Sequence, residues 1–349
     1  MSYFEEYGYP HRRYNLLSGE WILVSPQRTL RPWTGQLEPM FTEKTPNYHK
    51  DCYLCPGNRR SNGQTNPDYT GTFVFTNDFA AILATPPATA ITTDRLLRAE
   101  AERGTCRVIC YSPQHNITLG RLIPEKIVIV INTWVSEYNE LSARTYINSI
   151  QIFENRGLIM GCSNPHPHGQ IWANSCIPTL VERETTEQQK FFATSGDCLL
   201  CTYLAREEKE KSRLIFSNDS FAVLVPFWAI WPFETMIIPR FHAPSISSMD
   251  SGQKHDLAQA MIHLNNCYDN LFQISFPYSM GIHQQPCDGE DHPEWHWHIH
   301  YYPPLLRSQS IKKHMVGYEL LAMAQRDITA EEAAKRLRKL IGYHFSEKK

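Results

Sequence analysis

The chain has 349 residues, about two domains at roughly 150 residues each, and its 42% hydrophobic and 12% aromatic content can bury a real core, which excludes disorder. Lys+Arg 34 against Asp+Glu 36 leaves a net charge of −2, so no global basic field draws nucleic acid or anionic lipid, and any phosphate site must be local. The opening Met-Ser-Tyr-Phe-Glu-Glu has no basic leader before an apolar stretch, and no run of about 18 apolar residues occurs, so a cytoplasmic protein with no membrane partner is expected.

The first chemical signal along the chain is Cys52-Tyr-Leu-Cys55, whose spacing lets one turn present two thiols to a tetrahedral ion. In a chain of this size without a secretion signal, the pair points to metal rather than to a disulfide. Cys106, Cys110, Cys162, Cys176, Cys267 and Cys287 read as small buried apolar side chains. Phe75-Thr-Asn77-Asp78-Phe follows, then a short β-rich run at Val108 to Tyr111. Ile127, Val130, Trp134, Tyr138 and Leu141 step by three and four residues, which predicts a one-sided apolar helix, and Ile150 to Phe153 predicts a strand after it.

Gly161-Cys-Ser163-Asn-Pro165-His166-Pro167-His168-Gly169-Gln170 comes next. Its prolines forbid a helix and push their predecessors into extended backbone. In an extended chain His166, His168 and Gln170 face one side, with Ser163 nearby. Three polar side chains on one face demand partners or a ligand. Cys52, Cys55 and His115 give three zinc-type donors, and His166 would complete a tetrahedral site. His168 is then free as a nitrogen nucleophile, and Gln170 can donate hydrogen bonds without carrying a proton, an arrangement suited to attack on phosphorus.

The second half repeats this order. Cys198-Leu-Leu-Cys201 matches the first thiol pair, and Phe216-Ser-Asn218-Asp219-Ser-Phe matches the stretch at Phe75 at a similar offset. Ala205 to Arg213 is a charge run that reads as a solvated helix face or loop. Strands are predicted at Phe221 to Val225 and Met236 to Ile238, joined by the packed aromatic connector of residues 226–233, and a helix along Leu257, Met261, Leu264, Tyr268 and Leu271. Trp295-His296-Trp297-His298-Ile299-His300 places three histidines on one face of a predicted strand, a strong metal signal. Thr329 and Glu332 predict a capping box opening a last helix to Ile341. The expected architecture is α+β, two repeats over residues 1–176 and 177–349, each a mostly antiparallel sheet with one long helix packed on it.

Asn-Pro-His166-Pro-His168-Gly-Gln170, Cys52-x-x-Cys55-Pro-Gly, Phe-Pro-Tyr-Ser-Met-Gly281-Ile-His283 and Tyr-Pro-Pro-Leu-Leu-Arg307-Ser together resemble the galactose-1-phosphate uridylyltransferase family of the histidine-triad superfamily, over nearly the whole chain. The resemblance implies histidine-triad-like repeats and a ping-pong exchange of UMP between UDP-glucose and galactose 1-phosphate through a uridylylated histidine. It matches His168 to the nucleophile, Gln170 to the residue bonding the transferred phosphoryl oxygens, and Ser163 to a contact of the β-phosphate or hexose phosphate. Asn77, Asp78 and Asn155 match uridine and ribose contacts. Arg28 and Arg31 match phosphate-side residues, and Lys313, Val316, Tyr318, Glu319 and Gln325 match hexose-binding positions, both sets given across the interface of a homodimer with shared active sites. His314 departs from the family's usual Phe.

For metals the resemblance implies Zn2+ at the first site and Fe2+ or Zn2+ at a second, held by Glu184, His283, His298 and His300. The internal repeat instead offers Cys198, Cys201, His242 and one of His296 or His298. Three rival functions use other features. A nucleotidyl hydrolase of the superfamily would need an imidazole where Gln170 stands, an ADP-sugar phosphorylase would lack the Lys313 to Gln325 hexose loop, and a zinc-knuckle nucleic-acid binder would need a basic stripe that is absent.

Overall fold

In a computed structural model, residues 8–30, 45–85 and 94–347 are described. Near the start, β1 (His11–Asn15) and β2 (Glu20–Val24) form an antiparallel hairpin. The first repeat then supplies β3 (Phe73–Thr76), β4 (Gly104–Cys110), α1 (Pro124–Ser142), β5 (Ser149–Arg156) and β6 (His168–Asn174). Two helices follow, α2 (Thr179–Ser195) and α3 (Leu199–Glu210). The second repeat contributes β7 (Leu214–Ser217), β8 (Phe221–Leu224), β9 (Thr235–Pro239), α4 (Ser251–Phe272), β10 (Tyr278–His283) and β11 (His298–Tyr302). The chain closes with β12 (Leu305–Ser308), β13 (Ile311–Lys312), α5 (Tyr318–Leu321), β14 (Gln325–Arg326) and α6 (Ala330–Arg338).

Nine strands form one antiparallel sheet in the order β3-β4-β6-β5-β10-β11-β9-β8-β7. The α+β expectation holds, and the two halves are continuous because β5 pairs with β10, setting Asn155 opposite Ser279. β14 adds in parallel to β2, so the end of the chain closes on its beginning.

Strand alternation gives the sheet two functional faces. Ile152, Ile171, Ala173, Ile237, Ile299 and Tyr301 point into the main core, against α1 and α4. Helix α1 starts at Pro124 with no side-chain cap, yet buries Ile127, Val130, Ile131, Trp134, Val135, Tyr138 and Leu141. At about 1.5–3 kcal/mol for each large apolar side chain buried, that stripe outweighs the roughly 1 kcal/mol a cap supplies. On the opposite face Ala222, Leu224, Met236 and Ile238 pack on Leu199, Leu200 and Leu204 of α3, while Val108 and Cys110 pack on Cys52, Leu54 and Cys55.

Three sequence expectations about the fold need correction, and two helices lie outside what the sequence predicts. Of the Ala205 to Arg213 run, Glu207 and Arg213 are buried, because Arg213 bonds both Glu207 and Glu331, and Arg13 bonds Glu331 from β1. Cys176 is exposed, and Cys162 and Cys287 are only half-buried, so the apolar reading fits Cys106, Cys110 and Cys267. The last helix ends at Arg338 rather than Ile341, since Leu340 turns back to the Leu337 carbonyl and Gly342 takes φ +141°. Helices α2 and α3 were not foreseen. The buried residues of α2 are Val181, Glu184 and Gln188, too polar to read as an apolar stripe.

Candidate active site and metal centres

β6 begins at His168, so His166 lies ahead of the strand rather than on its face. The two rings accordingly occupy different surroundings. His168 Nδ1 lies 2.7 Å from the His166 carbonyl. A carbonyl only accepts, so Nδ1 carries the proton and Nε2 keeps its lone pair. Burial holds His168 below the usual imidazole value, opposed by that same hydrogen bond, and the ring is neutral at pH 7. Its pocket, about 180 Å³, is lined by Leu54, Phe75, Asn77, Asp78, Val108 and Gln170 among others.

Sheet register explains this gathering. Gln170 stands opposite Val108 on β4 and Phe153 on β5, and His168 stands opposite Cys110, all on the face away from α1. Extending the β5–β6 register by two residues brings Asn155 beside His168, while its Oδ1 accepts from Ser279 at 2.6 Å. Trp172 Nε1 donates to Gln170 Oε1 at 3.1 Å, which leaves the Gln170 amide hydrogens for a ligand. Gly169 is required: a Cβ there would lie 2.0 Å from Tyr111 Oη and 2.9 Å from the Phe153 carbonyl. Arg60 was missed by sequence reasoning. It is buried, bonds Asp78 at 3.2 Å and covers the Phe75 ring, but one arginine in a loop carries no spacing signal.

Among the described residues, three clusters of metal-type donors form, each with ligand atoms within 4.8 Å of one another. In the first, Cys55 Sγ is 3.6 Å from His115 Nδ1 and 3.5 Å from His166 Nδ1, with Cys52 beside them. His166 Nε2 donates to the Ser112 carbonyl at 2.9 Å, the outer hydrogen bond that orients a ligating imidazole. In the second, His283 Nδ1 lies 2.9 and 3.0 Å from the Glu184 oxygens, and His298 Nε2 lies 3.0 Å from His300 Nε2. His298 Nδ1 bonds the His296 carbonyl, so its Nε2 is unprotonated, and His300 Nδ1 is buried without a hydrogen-bond partner. Burial, opposed by Glu184, holds His298 down at about 4. His300 is likewise held down by burial, while His283 is pushed up, against burial, by the Glu184 charge it bonds, and three imidazoles converging on a buried carboxylate fit iron or zinc.

The third cluster is Cys198, Cys201, His242 and His296. His296, like His166, lies before its strand, so the three histidines predicted on one face divide between two clusters. The alternatives posed by the sequence therefore do not compete: both donor sets form, from eight different residues, and His298 belongs only with Glu184.

Comparisons with known proteins agree over the whole chain. The family described as galactose-1-phosphate uridyl transferase, N-terminal domain, matches residues 2–178, and its C-terminal domain matches residues 184–349. The chain belongs to the galactose-1-phosphate uridylyltransferase family. It is 48% identical to the enzyme of that name from Haemophilus influenzae, covering 99% of this chain and 98% of the relative, and 46% identical to the one from Rattus norvegicus, covering 96% and 89%. A solved uridylyltransferase structure is 25% identical with TM-score 0.74, covering 94% of this chain and 97% of its own. An ADP-glucose phosphorylase from Arabidopsis thaliana shares the fold at 23% identity and TM-score 0.75, covering 95% and 98%.

The residues matched to the family's other roles lie in three places. Ser163 is exposed in a neighbouring groove with His49, His115 and Asn164, sharing Tyr53 with the His168 pocket. Arg28 bonds Asp327 at 3.0 Å, Gln325 bonds the same carboxylate at 2.8 Å, and Lys313 bonds Glu319 at 2.8 Å and the Gln325 carbonyl, making one patch with exposed Val316, Tyr318 and His314. None of that patch lines the His168 pocket. Arg31 lies outside the described residues. Among the described residues no helix is long and apolar enough to cross a membrane.

Proposed function

We propose that the chain is a cytoplasmic UDP-glucose–hexose-1-phosphate uridylyltransferase of galactose metabolism that works by double displacement at His168. His168 Nε2 attacks the α-phosphorus of UDP-glucose, a P–N bond forms, and the bond to the β-phosphate oxygen breaks to release glucose 1-phosphate. A phosphate oxygen of galactose 1-phosphate then attacks the same phosphorus, the P–N bond breaks, and UDP-galactose leaves. The single observation carrying this reading is the 2.7 Å bond from His168 Nδ1 to the His166 carbonyl, which aims a lone pair from a buried neutral ring and supports the positive charge it gains.

Gln170 donates to the phosphoryl oxygens, Ser163 to the leaving or entering phosphate, and Asn77, Asp78 and Asn155 hold the uridine. Arg28, Arg31, Lys313, Val316, Tyr318, Glu319 and Gln325 act from the other subunit of a homodimer. Zn2+ at Cys52, Cys55, His115 and His166 braces the loop that leads into β6, the strand that carries the nucleophile. Fe2+ or Zn2+ at Glu184, His283, His298 and His300 braces β11, within repeats of residues 1–176 and 177–349. No nucleic acid or membrane takes part.

The test is intact mass after UDP-glucose is supplied alone. A covalent uridylyl increment should appear, be discharged by galactose 1-phosphate, and be absent from His168→Ala. Discharge by water at the same rate would indicate a hydrolase, and charging by ADP-glucose in preference to UDP-glucose would indicate a phosphorylase. An increment of equal size in His168→Ala would refute the nucleophile.

A further inference from the structure

The Cys198 cluster copies the first thiol cluster bond for bond. Cys201 Sγ lies 3.6 Å from His242 Nδ1 and 3.4 Å from His296 Nδ1, where Cys55 Sγ lies 3.6 and 3.5 Å from its two histidines. His296 Nε2 reaches the Pro239 carbonyl at 3.0 Å, as His166 Nε2 reaches that of Ser112 at 2.9 Å. That outer bond fixes the tautomer and leaves an unprotonated Nδ1 turned toward the thiols. It also faces His242 Nδ1 at 3.5 Å.

A tetrahedron with bonds of about 2.3 Å to sulfur and about 2.05 Å to nitrogen has edges of roughly 3.5 Å between sulfur and nitrogen and roughly 3.4 Å between nitrogens. The separations found are those edges. We propose that this cluster is a third metal site, independent of the Glu184 site, and that it takes Zn2+: two thiolates and two imidazoles in a tetrahedral cage select zinc over a hard cation.

Its three chain segments say what it braces. Cys198 caps the N-terminus of α3 through a bond from the Cys201 amide, and Leu199 and Leu200 seat that helix on Met236 and Ile238 of β9. His242 follows β9, and His296 lies two residues before the start of β11. A metal here would pin the backbone two residues before His298, whose Nδ1 hangs on the His296 carbonyl at 3.0 Å. The second repeat thus holds its His298 as the first holds its His168, by the carbonyl of a zinc-ligating histidine.

The third site also differs from the first in access. Cys52, Cys55, His115 and His166 are all buried, whereas His242 is exposed and Cys201 half-buried at a groove of about 690 Å³ that Arg206 and Lys209 also line. A chelator should reach the third metal before the first.

The inference does not depend on the transfer chemistry, because its readout is metal count. Full-length protein reconstituted with zinc and desalted should hold three equivalents. Cys198→Ser with Cys201→Ser should hold two, and so should His242→Ala, whose exposed position keeps it foldable. Glu184→Ala should also lose one equivalent but keep the cobalt–thiolate absorption of the Co2+ form undiminished, while the cysteine double variant loses about half of it, one of two thiolate-containing sites. Under limiting chelator His242→Ala should lack the fast-released equivalent seen in the unmodified chain. A metal count and cobalt–thiolate absorption left unchanged by Cys198→Ser with Cys201→Ser, or a His242→Ala variant that holds as much metal as the unmodified chain, overturns the proposal.

Discussion

His166 and His168 are two residues apart and use their ring nitrogens in opposite senses. His166 turns Nδ1 to a thiol and Nε2 to a carbonyl, while His168 gives Nδ1 to a carbonyl and keeps Nε2 for the pocket. Removing each should therefore have different effects. His166→Ala should lose one metal equivalent and substantial thermal stability, since the thiolates lose a partner ion. His168→Ala should keep its full metal complement and melting profile while uridylyl transfer falls by roughly 10⁴-fold or more. Equal metal content in the two variants would refute this division. Gly169 between His168 and Gln170 is as constrained: Gly169→Ala must displace Tyr111 or β6, at about 1–3 kcal/mol of overpacking. Its thermal midpoint should drop and its charging by UDP-glucose should slow, which calorimetry and intact mass together would check.

At the scale of elements, β1, α3 and α6 are fastened by charge. Arg13 on β1 forms a two-pronged pair with Glu331 on α6, and Arg213 after α3 bonds Glu331 and Glu207. Burial alone would raise the Glu331 carboxyl, but the Arg13 charge with hydrogen bonds from Arg13 and Arg213 holds it down at about 2, from 4.5. A carboxyl depressed on folding contributes stability that is present above pH 4.5 and lost as pH falls through about 2. Glu331→Gln should cost roughly 3–5 kcal/mol at neutral pH, because it strands buried arginines. The gap between unmodified and variant chains should narrow across that acid window in urea unfolding. A gap that stays constant with pH would show that Glu331 is not ionised in the fold. The same network marks the limit of the sequence. The long helices were legible because Ile127 to Leu141 and Leu257 to Leu271 hold a helical period, and the paired thiols, His166, His168 and Gln170 were legible because Cys-x-x-Cys and Pro-x-Pro fix local geometry. Glu207 and Arg213 were not, since a charge run on a buried helix face looks like one in water until Arg13 and Glu331 arrive from opposite ends of the chain. The split of His296 from His298 was also hidden, because strict alternation cannot show where a strand begins.

For the whole molecule, the two sets of residues proposed for the transfer reaction lie apart. His168 and Gln170 line their pocket with Asn77 and Asp78, whereas Lys313, Glu319, Gln325 and Arg28 form a separate patch flanked by exposed Val316, Tyr318, Leu320 and Leu321. The proposed twofold dimer, in which each patch completes the partner's pocket, would join the sets and cover the apolar rim. Such sharing predicts complementation. His168→Ala and Lys313→Ala homodimers should each be nearly inactive, one lacking the nucleophile and the other a hexose contact. If the two variants are co-expressed and pair at random, half the dimers are mixed, and each mixed dimer has one site carrying both substitutions and one carrying neither, which restores about a quarter of the sites. Sites built within single chains would give no restoration, since every site would carry one substitution or the other. Activity near a quarter of the unmodified level, appearing only when the two variants share a dimer, would place the hexose patch in the partner's active site, and activity no higher than the two homodimers would leave each chain to complete its own.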